Sequence, residues 1–412
     1  MNYLYPYQRE GVEFLTAKKR AYLADEMGLG KTAQAIRAAS KLGADHILVI
    51  CPASAIFVWR REWKKWADES TPIPAVISYS SLVRRIDDVM GADWDLVIMD
   101  EAHYIKTPSA KRSKAALKVA RSAEHVWLLS GTPMPNDPSE LWNPVKHLWP
   151  EFPASLGIHD GWQWYQHFCK YTETQFGPRA YAVNNAHVLK PFLKEAMLRR
   201  TWQEAGLDLP PLRICVDYLD RDDGFATILE EMGASEFGAA YVDEHLSEDP
   251  HVARLRRLLG EYKATPIGER IIGELQDQQY KQIVVLAHHL DVIERLQQMF
   301  SAADIGVVGF TGDTPATQRG IAVTAFENGK AAVFLGQSQA AGIAINLQSA
   351  HEMVLVEPSW SPGDNAQAIK RIHRIGQASP CRARIFCVPD TLDESIMGVI
   401  AQKTAMQLEL EL

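Results

Sequence analysis

The sequence has no apolar run of 18 residues or more, so no segment reads as a membrane-crossing helix. It does not open with basic residues leading into a short apolar core. Met1–Tyr7 is aromatic and polar, and a secretory leader is not expected. Cysteine is scarce: five residues, at 51, 169, 215, 381 and 387, none in Cys-x-x-Cys spacing. That gives no support to a zinc site or a redox pair. Reduced thiols are expected; a Cys381–Cys387 disulfide is open in principle, though a cytosolic setting argues against it. Positive charge is not in excess either, with 43 Lys and Arg against 51 Asp and Glu for a net of −8. A small histone-like or ribosomal-type protein is thereby excluded, whereas a local basic track for nucleic acid is not. Low-complexity segments and fixed-period repeats are absent.

What is present is ordinary for a globular chain: 47% hydrophobic and 23% charged residues over 412 positions. That length suits two or three domains. The charge is uneven. Residues 1–208 carry a net +3 and residues 209–412 a net −11.

Short β-branched apolar runs that end at turn residues read as buried parallel strands. They are His46–Cys51, Ala75–Ser78, Leu96–Met99 and Val126–Leu129, then Gln282–Ala287, Gly306–Phe310, Ala332–Leu335 and His351–Val356. Helical patterns alternate with them at Lys31–Leu42, Ile56–Asp68, Ser109–Ala123, Asp291–Ala302 and Pro315–Asn328. Strand, helix, strand, twice over, predicts an α/β chain of two doubly wound parallel-sheet lobes. From about 139 to 265 the pattern is helical and aromatic-rich, and is read as an insertion and a bridge. The boundary is set at Leu209-Pro210-Pro211-Leu212, because a residue before proline is driven out of helix. The expected domains are 1–208, with a helical insertion from about 139, and 209–412, with a helical bridge to about 265 before the second lobe.

Asp25-Glu-Met-Gly-Leu-Gly-Lys-Thr32 leads straight into a helical pattern. Glycines there let backbone N–H groups approach phosphate oxygens at a helix N-terminus. Lys31 would reach the β- and γ-phosphates, and the Thr32 hydroxyl would ligate Mg²⁺. Strict G-x-x-x-x-G-K-T has glycine where Asp25 stands, so a glycine-rich helix cap with a solvated lysine stays open for this loop alone. Asp100-Glu-Ala-His103 follows the run Leu96–Met99, placing two carboxylates at the carboxyl end of a buried strand. Asp100 would hold Mg²⁺, and Glu101 would orient and deprotonate the attacking water. A surface Asp-Glu pair at a turn is the plainer alternative.

These segments, with Tyr7-Gln8 and Ser130-Gly131-Thr132, stand in the order and spacing of helicase superfamily two. Asp25–Thr32, Leu129-Ser-Gly-Thr-Pro-Met-Pro-Asn136 and Arg371-Ile-His-Arg-Ile-Gly-Gln377 resemble the Swi/Snf-type DNA-translocating ATPases. The resemblance runs from residue 4 to about 400, and the compact form is most similar to the annealing-helicase branch and its short bacterial and phage relatives. It implies two RecA-like lobes with ATP and Mg²⁺ as cofactors. It places Gln8 at the adenine edge and Asp25, Gly28, Leu29, Gly30, Lys31 and Thr32 around the phosphates, with Gly342 and Asn346 near the ribose. Pro52 and Ser54, then Ser78 and Tyr79, then Thr132, would contact DNA or couple to it; plain turn chemistry is the alternative for each. In the second half Thr311, Gly312, Arg319 and Ser338 would grip the other stretch of backbone. Gln367, Arg371 and Arg374 recur at spacings of four and seven, predicting one helical face. In the family both arginines point at the γ-phosphate.

The chain departs from the family pattern at Ala344, where glycine is usual, and at Trp360-Ser361-Pro362, where Trp-Asn-Pro is usual. Trp59, Trp63 and Trp66 recur at helical spacing and read as core. His288 and His289 follow a buried strand, in a segment that is near DNA in the family, and a structural role is as well supported. Met197-Leu-Arg-Arg200 matches a segment between the lobes; its arginines either clamp the lobes or bind acidic partners. The terminal Leu-Glu-Leu-Glu-Leu is expected to fray.

The expectation is thus a monomeric, nucleic-acid-dependent ATPase that translocates on duplex or branched DNA without sequence preference. A strand-separating helicase on DNA or RNA is one alternative, and a catalytically weak nucleic-acid-binding scaffold another. No membrane is involved, and a protein partner for targeting is allowed. The short form suggests a bacterial or phage role in replication, repair or recombination, in the cytoplasm, or in the nucleus of a eukaryote.

Overall fold

Residues that are apolar on both faces form the centre of each sheet. The computed structural model describes residues 3–174, 177–221, 225, 250–338 and 345–412. In the first sheet every residue of β2 (Ile47–Cys51) is buried, as are the first four of β4 (Leu96–Asp100). Around them lie β1 (Arg20–Leu23), β3 (Ala75–Ser78), β5 (His125–Leu129) and a two-residue β8 (Met197–Leu198), in the all-parallel order β3-β2-β4-β5-β1-β8. Parallel strands need crossovers, and helices supply them. They include α1 (Pro6–Thr16), α2 (Lys31–Leu42), α3 (Ile56–Trp66) and α4 (Tyr79–Arg84). Trp59 and Trp63 of α3 face the core, as their spacing predicts.

The second sheet is also wholly parallel, in the order β11-β12-β10-β13-β14-β9. Its strands are β9 (Leu212–Tyr218), β10 (Ile283–Ala287), β11 (Val307–Phe310), β12 (Val333–Gln337), β13 (Glu352–Leu355) and β14 (Cys381–Cys387). The fold is therefore α/β with two doubly wound units. Contacts divide the chain into Met1–Asp208 with Gln402–Leu412, and Leu209–Ala401.

Several expectations need correction. The 209–265 stretch is not a purely helical bridge: Leu212–Tyr218 is the edge strand of the second sheet, parallel to β14. It is only partly covered, with Ile214, Val216 and Tyr218 exposed and Cys215 and Asp217 half-buried, as on a strand with one face toward solvent. The insertion also carries a hairpin, β6 (Cys169–Thr174) and β7 (Gly177–Val183). Cys381 and Cys387 open and close one extended strand and are free thiols, so they cannot pair. The C-terminal residues do not fray and do not belong to the second unit. Met406 and Leu410 are buried in the first unit's core, Gln407 Nε2 donates to Met134 O (2.9 Å), and Glu411 pairs with Lys190 (2.7 Å) and Lys194 (3.0 Å).

Leu410→Ala removes a buried side chain from that core, and about 2–3 kcal/mol of stability should go with it. Urea unfolding followed by a probe in the first unit should show its midpoint fall; an unshifted midpoint contradicts the packing.

Candidate functional site

The site begins where β1 ends. The chain leaves Leu23, makes the 25–32 loop and enters α2 through Gly30, whose φ of +75° is left-handed. A Cβ at Gly30 would lie 2.5 Å from Gln8 Nε2, so only glycine fits there. Gly28 (φ +89°) is pressed against the Trp202 ring in the same way. Leu29 contributes its backbone, not its side chain. Its carbonyl accepts from Tyr7 Oη (3.1 Å), Gln8 Nε2 (3.2 Å) and Gln34 Nε2 (3.2 Å). Gln8 also accepts from the Tyr5 amide (3.0 Å) and is buried. Its amide is engaged by the protein at both ends, which differs from the expected reading of an adenine edge.

Asp25 is not a nucleotide contact. It is fully buried and is held by Arg200, Nε to Oδ1 at 2.9 Å and Nη2 to Oδ2 at 2.6 Å. Gln34 Nε2 adds a third donor to Asp25 (3.0 Å) and accepts Arg200 Nη2 through Oε1 (3.0 Å). Arg200 also reaches the Tyr7 carbonyl. Arg199 donates to the carbonyls of Ala24 (3.1 Å) and Gly131 (3.4 Å). The two arginines thus brace the 25–32 loop from behind. The sequence offered these arginines two roles, clamping the lobes or binding acidic partners; both instead bind groups of their own unit, and the signal for it was an aspartate at a glycine position, a charge that needs a buried partner.

Asp100 closes β4, and Glu101 follows in the left-handed region (φ 50°, ψ 56°). For a non-glycine this costs about 1–3 kcal/mol, a strain typical of functional positions. Burial and the neighbouring Glu101 push the Asp100 carboxyl up to about 6, against the Trp59 hydrogen bond and Lys31. Lys31 Nζ lies folded onto the carbonyls of Asp25 (2.6 Å) and Glu26 (3.3 Å). Burial lowers its pKa, opposed by Glu101, Asp25 and Asp100. Ser130-Gly131-Thr132 joins them. A Cβ on Gly131 would stand 3.4 Å from Lys31 Nζ, Ser130 Oγ accepts from the Thr132 amide (3.1 Å), and His103 Nδ1 lies 3.3 Å from Ser130 Oγ and 3.4 Å from Glu101. Thr32 sits half-buried in the first turn of α2. Lys31, Asp100, Glu101, Ser130 and Thr132 therefore converge at the carboxyl edge of one sheet, where ligands bind in open α/β folds.

At the same edge Pro52 is half-buried and Ser54 exposed. Ser78 and Tyr79 are not available as contacts. Ser78 is 2% exposed and its hydroxyl caps α4 by accepting from the Ser81 amide (3.1 Å). Tyr79 is equally buried, stacks on Tyr104 at 5.2 Å and donates to the Asp100 carbonyl (3.0 Å). A helix N-cap and a core aromatic both point inward, so Ser80 is the exposed residue of that loop. Trp59 is more than core: its Nε1 donates to Asp100 Oδ2 (2.7 Å). A buried indole N–H needs an acceptor, and that rule was the available signal.

In the second unit the expected DNA residues gather at the sheet's carboxyl edge. The Gly312 amide donates to Gln337 Oε1 (3.0 Å), and Ser338 bonds the Ala287 carbonyl through its amide (2.7 Å) and hydroxyl (3.1 Å). Thr311 pairs with Thr314, and Arg319 spends its guanidinium on the carbonyls of Gly312 (2.5 Å) and Thr314 (2.6 Å). Beside them Glu357 accepts both His288 and His289 amides (2.8 and 3.0 Å) and contacts His289 Nδ1 (2.6 Å). Burial, then Arg256 and His289, lower the His288 pKa to about 4. Gly342 and Ala344 lie outside the described residues. Asn346 is described, and its Oδ1 is buried without a hydrogen-bond partner among the described residues.

Gln367, Arg371 and Arg374 do not share a helical face. The helix Pro362–Ile369 stops at Lys370, and both arginines follow in tight turns. Gln377 fixes those turns by donating to the carbonyls of Gln348, Ala350 and Ile372 (3.0–3.1 Å). The Ser361 departure is explained: its hydroxyl caps this helix at the Asp364 amide (3.4 Å), as asparagine would.

Residues 7–77 and 73–224 match the SNF2-related domain, and 267–376 match the helicase conserved C-terminal domain. The chain is 29% identical over 428 residues to the SWI/SNF-related matrix-associated actin-dependent regulator of chromatin subfamily A-like protein 1 homolog of Caenorhabditis elegans, covering 97% of this chain and 61% of that protein. It is 29% identical over 444 residues to the DNA annealing helicase and endonuclease ZRANB3 of Bos taurus, covering 97% and 40%. It thus spans less than two thirds of the length of either relative. Among solved structures it is similar to a Sulfolobus solfataricus SWI2/SNF2 ATPase core in complex with dsDNA, with 22% identity, a TM-score of 0.46, and 98% and 92% of the two chains covered.

Two outcomes follow from the geometry. Arg200→Met leaves Asp25 buried and unpaired, and about 3–5 kcal/mol should be lost in denaturant unfolding, with Asp25→Asn in the same chain recovering part of it. His288 is held neutral in the folded state with its pKa below the unfolded value. Its contribution is therefore present above about pH 6.5 and lost as pH falls toward 4. His288→Gln should flatten that part of the stability–pH curve; an unchanged slope refutes the assignment.

Proposed function

Because the chain belongs to the SNF2-related family, whose domain it matches over more than half its length, we propose that it is a DNA-dependent ATPase motor that moves along duplex DNA. The observation that carries this reading is the meeting of Lys31, Asp100, Glu101 and the 130–132 segment at one sheet edge. The 25–32 loop, opening α2 through two left-handed glycines, fits a triphosphate, and Lys31 then exchanges its backbone carbonyls for phosphate oxygens. Asp100 and the Thr32 hydroxyl fit Mg²⁺. Two adjacent carboxylates and a hydroxyl are hard-cation donors, and the ion would neutralise charge on the β- and γ-phosphates. Glu101 stands next to it as the base for the attacking water, with His103 at 3.4 Å to orient it.

In the second unit, residues 267–376 match the helicase C-terminal domain and carry Arg371 and Arg374. These are the charge-stabilising arginines of the transition state. Pro52, Ser54, Ser80 and Thr132 of the first unit, with Thr311, Gly312 and Ser338 of the second, form the backbone contacts. Such contacts are sequence-independent and weaken with salt. The names of the relatives favour remodelling or reannealing of DNA over strand separation.

Phosphate release measured with no nucleic acid, duplex, single strand, fork and RNA tests the reading. Stimulation by DNA is expected, and it should decline steeply between low and moderate salt. Lys31→Ala, Glu101→Gln and Arg371→Ala should each lower the stimulated rate by about 100-fold or more while the chain stays folded. Full turnover by Glu101→Gln removes it as the base. Displacement of a triplex strand without release of a labelled fork strand identifies duplex tracking; release of the fork strand identifies an unwinding helicase instead.

A further inference from the structure

The two loops that the motor reading assigns to DNA in the first unit both end on one residue. The first, residues 52–55, runs directly into α3, and three residues into that helix Trp59 donates its indole N–H to Asp100 Oδ2 at 2.7 Å. The second, at Ser78–Ser80, opens α4, and Tyr79 donates its hydroxyl to the Asp100 backbone carbonyl at 3.0 Å. Both side chains are nearly inaccessible, at 1% and 2% exposure, while Ser54 and Ser80 in the same loops are exposed. β3, β2 and β4 are sheet neighbours in that order, so the loops and Asp100 share one edge. The outer face of α3 presents Arg60, Arg61, Lys64 and Lys65. One helix therefore shows cations to solvent and a hydrogen-bonded indole to the carboxylate.

We propose that Trp59 and Tyr79 are positioning residues that couple DNA occupancy of the 52–54 and 78–80 loops to the placement of Asp100, and through it Glu101. This rests on the motor reading and adds the route by which DNA raises its rate. Each link is a hydrogen bond between a rigid ring and one end of β4. A shift of either loop is therefore passed to Asp100 with no flexible side chain between. Tyr79 is further constrained by its stack on Tyr104. Glu101, already in a strained left-handed conformation, follows the movement of its neighbour. By linkage, DNA and Mg²⁺-nucleotide then alter one another's affinity by the same factor.

Trp59→Phe and Tyr79→Phe each delete one donor and keep a ring. Trp63→Phe is the control. It lies on the same helix, is equally buried, and loses an indole bond to the Pro72 carbonyl (3.1 Å) that is remote from Asp100. For each chain three quantities are measured: the ratio of kcat with and without duplex, duplex affinity by anisotropy, and the affinity of a fluorescent ADP with Mg²⁺ in the presence and absence of duplex. In Trp59→Phe and Tyr79→Phe the kcat ratio should fall about tenfold and the nucleotide affinity should lose its response to DNA, with duplex affinity within about twofold. Trp63→Phe should retain both couplings. Unchanged ratios in the two test variants, or equal losses in Trp63→Phe, overturn the proposal while leaving the motor reading intact. A parent chain with no DNA stimulation overturns both. Should Trp59→Phe fail to fold, Tyr79→Phe decides alone.

Discussion

Asp25 keeps its carboxylate in the interior only because Arg200 meets it with two parallel hydrogen bonds and Gln34 completes its shell. A buried charge without such partners costs several kcal/mol, so the three residues stand or fall together. The 25–32 loop hangs from this cluster. Gln34 also donates to the Leu29 carbonyl, Trp202 presses on Gly28, and Arg199 joins the loop to Gly131. Residues from the start of the chain, from α2 and from beyond β8 thus converge on one turn. The aspartate that spoils the strict phosphate-loop pattern is the residue that ties that turn to the rest of the unit.

A second convergence lies at the neighbouring strand end. Asp100 accepts from Trp59 through its side chain and from Tyr79 through its backbone. His103 bridges from Glu101 toward Ser130, whose hydroxyl orders Thr132. Polar groups in a poorly solvated cleft need this degree of pairing, and pairing of this kind also transmits displacement. The Asp100–Glu101 pair and the 52–54 and 78–80 loops are therefore one hydrogen-bonded assembly within the first unit.

The loop sequences were legible because their chemistry is local. Glycines at 28 and 30 are demanded by backbone conformation, and an apolar run before Asp100 places it at a strand end whatever surrounds it. Most central strands were legible for the same reason, being apolar on both faces. β1 and β9 were not. Arg20–Leu23 is four residues long and opens on a charge, and Leu212–Tyr218 alternates at an edge, so neither shows the continuous run of a central strand. Spacing misled at Gln367, Arg371 and Arg374, where periodicity implied a helix but Gln377 gathers three carbonyls and turns the chain instead.

By itself the sequence determined the two α/β units, the order of the loops at their sheet edges, and the candidate residues for phosphate, a metal ion and water. Those depend on short-range rules of backbone conformation and strand burial. Only the tertiary structure decided which polar groups face outward and which are consumed inside. Ser78 caps a helix, Tyr79 and Trp59 bond Asp100, Asp25 takes Arg200 across 175 residues of sequence, and Leu410 closes the first unit rather than the second. The reason is that a buried donor or acceptor must find a partner wherever the fold supplies one, and sequence distance does not constrain that choice.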